Sequence, residues 1–128
     1  TMYGFLLVGI GGALGSMARF GFGMVIARLW PTAFPLAVLL TNIAGSIAMG
    51  IFIGVMARVL PDWQEQARLF VAVGILGGFT TFSTFSLDTI VLIERGELAN
   101  AALYVALSVV VCLAGLYLGL LITRGGAA

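Results

Sequence analysis

Long apolar runs separated by short polar stretches dominate the chain. Four runs carry no formal charge, and they lie at residues 1–18, 29–57, 69–87 and 98–123. A helix needs roughly 20 mostly apolar residues to cross the hydrocarbon of a bilayer, so each run can supply one membrane span. Because the runs are continuously apolar, they favour helices over the alternating strands of a membrane β-barrel.

The pattern predicts an all-α integral membrane protein with a single transmembrane domain over residues 1–128. Its four helices are expected at about 2–26, 34–60, 68–93 and 98–122. The first two connections each contain a helix-breaking proline and a tryptophan of the kind that lies at the membrane surface. The third connection, at 94–97, is a polar tight turn, and the tail at 125–128 is expected to be unstructured.

The composition excludes most soluble functions. Charged residues make up 9% of the chain, whereas a soluble domain carries about 25%. The formal net charge of +1 argues against a nucleic-acid partner, which needs a basic footprint. Cys112 is the only cysteine and histidine is absent, so a disulfide framework, a cysteine-rich metal site and a histidine acid–base catalyst are excluded. The chain is therefore expected to be a non-enzymatic protein of the lipid bilayer.

The arginines leave the orientation in the membrane open. With four spans, one side would hold Arg58, Arg68 and Arg124, and the other Arg28, Arg95 and, if its side chain reaches outward, Arg19. This is almost no positive-inside bias, so insertion in both orientations is one interpretation and a weak bias through one dominant arginine is the other. Four packed helices fill their own interior, so a path for solutes is expected to need an oligomer, and a two-fold dimer is the simplest.

Small residues recur at every fourth position and so share one helix face. The first helix has Gly11, Gly15 and Gly23 with Arg19, and the second has Ser46, Gly50 and Gly54 with Asn42. The fourth has Gly115 and Gly119. Close packing of helices in lipid explains the glycines. The string 9–15 lacks the spacing and the βαβ context of a dinucleotide-binding loop.

The third helix contains the most informative segment. Residues 80–86 hold five hydroxyl side chains and two phenylalanines, directly after Gly77 and Gly78. Glycine disfavours helix, and Ser or Thr can rebond freed backbone groups, so the helix is expected to break near mid-membrane. Exposed carbonyls there could bind a cation, and hydroxyls or an open helix N-terminus an anion. A kinked helix without a ligand is the alternative.

The absence of charge in the spans bears on the solute. Asp88 is the one candidate for a membrane-embedded carboxylate, and both it and Arg19 are expected near helix ends. Asn42, in the second helix, is either a helix–helix hydrogen-bonding residue or an amide donor facing a ligand. Neutral donors together with the electropositive edges of phenylalanine rings suit a small anion.

Three strings carry a family resemblance. The sequence GGFTTFSTF at 77–85 resembles the signature of the Fluc (CrcB-type) fluoride channels. GGALG at 11–15 followed by Arg19, and Asn42 followed by AGS at 44–46, are similar to the first and second helices of that family. The resemblance covers essentially the whole chain.

What the resemblance implies is an antiparallel, dual-topology homodimer in the bacterial plasma (inner) membrane that exports fluoride passively. It implies two pores and a central sodium ion held by the backbone carbonyls of Gly77 and Thr80 from both subunits. Arg19 would lie near an aqueous vestibule, with a membrane-surface anchor as the alternative. The implied pore residues are Asn42, Phe82, Phe85, Ser83, Thr84, Tyr104 and Ser108.

The sequence departs from the family pattern at a few positions. Cys112 and Leu116 stand where some members have serine and threonine, which puts the far end of the polar track on the fourth helix in question. The pair at 37–38 is Ala-Val instead of Gly-Thr, and Asp88 stands where glutamate is frequent.

Two other classes of protein share some of these features. A small multidrug-type transporter is also a four-helix, dual-topology dimer, but it needs a membrane-embedded glutamate in the first helix, and that helix has no carboxylate. A non-transporting partner subunit would use its glycine faces for assembly alone and would leave the five clustered hydroxyls unexplained. A solute-flux measurement on the protein alone separates these classes.

Overall fold

The computed structural model describes residues 1–124 and contains helices and no strands in that part of the chain. Its elements are α1 (Met2–Leu29), α2 (Leu36–Val59), α3 (Gln64–Ala67), a π-helical segment (Arg68–Leu76), α4 (Gly77–Phe79), α5 (Phe82–Glu94) and α6 (Leu98–Thr123). Four stretches are long and apolar enough to cross a membrane: α1, α2, a third span over Gln64–Glu94, and α6. This confirms the prediction of an all-helical chain with four candidate membrane spans.

The start of the third span differs most from its predicted position. It begins at Gln64, in the polar connection, whereas residue 68 was expected. Arg68 Nη2 lies 2.8 Å from Glu65 Oε2, one helical turn away, and such pairs support a helix in a polar stretch. The single-domain assignment stays a prediction, and the expectation for the tail at 125–128 lies outside the described residues.

Two backbone conformations set the turns between spans. Leu60 ends α2 in the left-handed region, with φ 51°, and its N–H donates to the Met56 carbonyl at 2.9 Å. Pro61 follows and cannot continue the helix. Between α5 and α6, Gly96 has φ 79°, a conformation that glycine adopts without steric cost.

The spans pack as two close helix pairs. In the first pair, α1 lies against the first half of the third span, and a Cβ added at Gly15 would overlap the backbone carbonyl of Ile75. In the second, α2 lies against α6, and a Cβ at Gly50 would overlap the carbonyl of Leu116. Similar close approaches to backbone atoms occur at Gly11, Gly78 and Gly119. These glycines therefore act in helix packing, as expected. Gly23 is the exception, because nothing lies within 4 Å of a Cβ built there, and its predicted packing role within this chain is wrong.

The buried side chains gather where α2, α5 and α6 meet. Leu39, Leu92, Ala101 and Tyr104 form this cluster, and Tyr104 is 0% exposed. Many large apolar side chains elsewhere face outward, which is typical of helices surrounded by lipid or by another subunit. The cluster fixes α5 beside α2 and α6, and the candidate site lies next to it.

Gly15→Ala is expected to destabilise the protein, whereas Gly9→Ala on the same helix is expected to be neutral or slightly stabilising. The added methyl group at Gly15 would meet backbone that cannot move aside, while nothing lies within 4 Å of a Cβ at Gly9. Overpacking of this kind costs about 1–3 kcal/mol. Thermal unfolding of both variants in one detergent measures the difference, and equal melting temperatures would contradict the packing.

Candidate functional site

The third span is interrupted at two residues. Thr80 (φ −90°, ψ 158°) and Thr81 (φ −151°, ψ 121°) are extended, between the end of α4 at Phe79 and the start of α5 at Phe82. Thr81 caps α5, because its Oγ1 accepts a hydrogen bond from the Thr84 N–H at 3.2 Å. The depth of this interruption in the membrane stays a prediction.

Asn42 of α2 holds the interruption through two hydrogen bonds to one residue. The Thr81 N–H donates to Asn42 Oδ1 at 2.8 Å, and Asn42 Nδ2 donates to the Thr81 carbonyl at 3.0 Å. The side-chain amide thus pairs with the main chain as a neighbouring strand would. One of the two Nδ2 hydrogens remains available to another acceptor.

The carbonyls of residues 76–80 fall into two groups: some accept a hydrogen bond, and others have lost their helical donor. Leu76 O accepts from both the N–H and the Oγ1 of Thr80, at 3.0 and 2.9 Å, and Gly78 O accepts from Arg19 Nε at 3.0 Å. In an uninterrupted helix, the carbonyls of Gly77 and Thr80 would accept from the amides of residues 81 and 84. Those two amides donate instead to Asn42 and to the Thr81 side chain, so the interruption removes the usual donors of Gly77 O and Thr80 O.

These two carbonyls bear on the expected sodium ion. Among the described residues, no group of three or more His, Cys, Asp or Glu side chains could hold a metal ion. Sodium is a hard cation that prefers oxygen ligands, and carbonyls released from helical hydrogen bonds provide them. The backbone at Gly77 and Thr80 therefore fits such an ion in donor chemistry.

Aromatic rings form a continuous row from the interruption towards the buried cluster. The centroids of Phe82 and Phe85 are 5.5 Å apart, those of Phe85 and Tyr104 are 5.1 Å apart, and Phe34 meets Tyr104 edge-on at 5.6 Å. Phe82 is 78% exposed, so one end of the row is open on the surface of this chain.

A cavity of about 410 Å³ lies between α2, the interruption and α6. Its wall includes four of the predicted pore residues, which the fold brings together from three spans: Asn42, Phe82, Phe85 and Ser108. Ser108 is 7% exposed, and its hydroxyl has no hydrogen-bond partner among the described residues. A buried hydroxyl without a partner is costly, so this group points to a ligand or water in the cavity. The wall carries no ionisable acid or base other than the thiol of Cys112.

Thr80, predicted as a sodium ligand, also lines the cavity, whereas the other predicted pore residues and Arg19 lie outside its wall. Ser83 is exposed and Thr84 accepts a hydrogen bond from Thr81 Oγ1 at 3.1 Å. Tyr104 is buried behind Phe85, and its hydroxyl donates to Asp88 Oδ2 at 3.1 Å. Because a phenol has one proton to donate, Tyr104 cannot give it to an anion at the same time. Arg19 of α1 donates from Nε to the Gly78 carbonyl, in α4 before the interruption.

Two features of the site go beyond what the sequence predicts. Thr81 pairs with Asn42 and caps α5, whereas the sequence marks it only as one of five clustered hydroxyls. Its place directly before a helical run is a usable capping signal. The hydrogen bond from Tyr104 to Asp88 joins residues of different spans, and no local sequence pattern predicts it.

Comparisons with known proteins place this architecture in a family. The sequence profile described as CrcB-like protein, Camphor Resistance (CrcB), matches residues 6–120. The chain belongs to the CrcB-like family. This confirms the resemblance inferred from residues 11–19, 42–46 and 77–85.

Curated relatives of this CrcB-like chain share nearly its full length. It is 49% identical to a protein of Nitrobacter winogradskyi, covering 93% of this chain and 94% of the relative. It is also 49% identical to one of Paracoccus denitrificans, with 94% of each covered, and 45% identical to one of Hyphomonas neptunium, with 96% and 97% covered. All three relatives are named Fluoride-specific ion channel FluC. That name describes a channel and not an enzyme.

Tyr104→Phe is expected to lower the free energy of unfolding by about 1–3 kcal/mol, because it removes a hydrogen bond to a carboxylate in a buried setting. The loss should largely disappear when Asp88 is already Ala, since the partner is then absent. Tyr117→Phe, at an exposed tyrosine of the same helix, is the matched control and should change little. Unfolding in detergent measures all four variants; an undiminished loss in the Asp88→Ala background would contradict the contact.

Proposed function

We propose that this chain is a fluoride channel that lets fluoride leave the cytoplasm passively across the bacterial plasma membrane. The observation that carries the proposal is the cavity at the interruption, where unpaired neutral donors face aromatic rings without a formal charge. The shared name of the full-length relatives supports fluoride as the solute. No bond is made or broken, so the protein acts by solvation alone.

Three kinds of group would replace the water around the ion. The Ser108 hydroxyl has no partner and can donate its proton. Asn42 keeps one N–H beyond the one bound to Thr81. The rings of Phe82 and Phe85 can present their electropositive edges. Neutral donors stabilise an anion without the deep trap that a full positive charge would create, and conduction needs an ion that can leave again.

The remaining pore assignments have separate roles in this proposal. Ser83 and Thr84 lie beyond the cavity wall, so they would meet the ion before or after it passes the two rings. Tyr104 would act through its ring, packed on Phe85, since its hydroxyl is bonded to Asp88. Arg19 would raise the local anion concentration from a vestibule, at a point where its Nε also donates to the Gly78 carbonyl of α4.

An inverted second copy would complete the pores. Phe82 and its cavity open onto the surface of the single chain, so a facing subunit is needed to enclose the path. The even distribution of arginines supports insertion in both orientations, and hence an antiparallel homodimer with two pores. The Gly77 and Thr80 carbonyls of both copies would hold a sodium ion, whose positive charge would offset the repulsion between carbonyl dipoles.

Purified protein in liposomes is expected to release loaded fluoride, and Phe82→Ile is expected to abolish the release while leaving chloride retained in both cases. The substitution keeps an apolar side chain of moderate size but removes the electropositive ring edge. A fluoride electrode measures the efflux.

Ser108→Ala should slow the same efflux roughly 10-fold or more, because it removes one unpaired donor worth about 1.5 kcal/mol.

Val110→Ala provides the control, because this exposed residue of α6 lies outside the cavity wall. Its efflux should match that of the wild type. Wild-type liposomes that retain fluoride would refute the channel, and full fluoride release by Phe82→Ile would refute the role of the ring.

A further inference from the structure

Asn42 binds both polar groups of the Thr81 main chain, and this contact bears on the cation site as well as on the anion path. In a continuous helix the Thr81 N–H would donate to the Gly77 carbonyl. Here it donates to Asn42 Oδ1 at 2.8 Å, and the return bond from Asn42 Nδ2 to the Thr81 carbonyl, 3.0 Å long, fixes the same peptide on its other side. Asn42 therefore competes with the helix for the main chain of Thr81.

The outcome of this competition decides which groups Gly77 can bind. If Thr80 returned to helical dihedral angles, the Thr81 N–H would point again at the Gly77 carbonyl and close that oxygen to other partners. While Thr80 stays extended, at φ −90° and ψ 158°, with the Thr81 N–H bound to Asn42, the Gly77 oxygen is released from this donor. Thr81 is extended as well, at φ −151° and ψ 121°, and its Oγ1 accepts from the Thr84 N–H, which releases the carbonyl of Thr80 in turn.

A second contact from α2 supports the same conformation. Gly45, one turn after Asn42, is buried against Thr80, and a Cβ at Gly45 would overlap Thr80 Cγ2. Thr80 is fixed further by its Oγ1, which donates to the Leu76 carbonyl at 2.9 Å. One face of α2 thus seats both extended residues.

We propose that Asn42 is a positioning residue for the cation site: its clamp on Thr81 holds the Gly77 and Thr80 carbonyls open, so that the anion path and the cation site are energetically coupled. The inference rests on the proposed sodium site. By linkage, whatever the clamp contributes to sodium binding, sodium binding contributes to the clamp. Loss of the clamp therefore weakens sodium binding, although Asn42 is not one of the sodium ligands.

The test compares how much sodium each variant needs for stabilisation. Protein is purified throughout in N-methyl-D-glucamine, and its melting temperature is followed as sodium replaces that cation. Asn42→Leu, which keeps the branched shape but loses both hydrogen-bonding groups, should raise the half-saturating sodium concentration roughly 10-fold or more, within the usual range of coupling between sites.

Two controls separate coupling from other effects. Gly119→Ala is destabilised through packing of α6 on α2, away from residues 77–81, so it should melt lower but titrate at the wild-type sodium concentration. Val110→Ala, at an exposed position of α6 outside the cavity wall, should keep both the melting temperature and the sodium titration of the wild type. An Asn42→Leu protein that titrates like the wild type would overturn the coupling, as would an equal shift in Gly119→Ala.

A measurement on the wild type covers the case in which Asn42→Leu does not fold. Amide hydrogen exchange at Thr81 should be slow in sodium and become faster in N-methyl-D-glucamine, because removing the cation weakens the clamp. Exchange that is equal in both solutions would overturn the inference. Wild-type fluoride efflux, measured on the same preparations, keeps a failure of the sodium site distinct from a failure of the channel.

Discussion

The pairing of one side-chain amide with one peptide group is the interaction on which the site depends. Two extended residues inside a membrane-spanning helix leave main-chain donors and acceptors without their helical partners, and each such group is costly in hydrocarbon. Asn42 satisfies both polar groups of Thr81, and the Thr81 hydroxyl satisfies the amide of Thr84. With these groups paired, the chain can keep an interruption that would otherwise close into a helix, and its other polar groups become available.

Residues that look alike in the sequence differ in whether their hydrogen-bond donors are already paired. Tyr104 and Ser108 both carry a hydroxyl on one face of α6, yet the first is bound to Asp88 and the second has no partner among the described residues. Asn42 has one hydrogen committed and one free. An anion would thus meet a few neutral donors and ring edges, in a wall without formal charge, which is the environment that solvates a small anion and still releases it.

Physical reasons explain which parts of the molecule were predictable. Charge is so costly in hydrocarbon that the uncharged runs located all four spans, and the spacing of glycines identified faces such as that of Gly15 and Gly50, where backbones now touch. The glycines and hydroxyls of 77–86 mark a stretch with weak helix preference. The partner of that stretch could not be predicted from the sequence, because Asn42 and Thr81 are 39 residues apart and only the packing of α2 on the interruption brings them together. The bond from Tyr104 to Asp88 depends on tertiary packing in the same way.

The most direct test of this account is a solid-state NMR measurement of the pair in lipid bilayers. Protein labelled with ¹⁵N in the asparagine side-chain amide and ¹³C in threonine carbonyls, with Asn100→Gln to leave Asn42 Nδ2 as the only labelled nitrogen, reports the distance across the contact. We expect a dipolar coupling between Asn42 Nδ2 and the Thr81 carbonyl carbon that matches the 3.0 Å hydrogen bond to its oxygen. No such coupling, together with helical chemical shifts at Thr80 and Thr81, would contradict it.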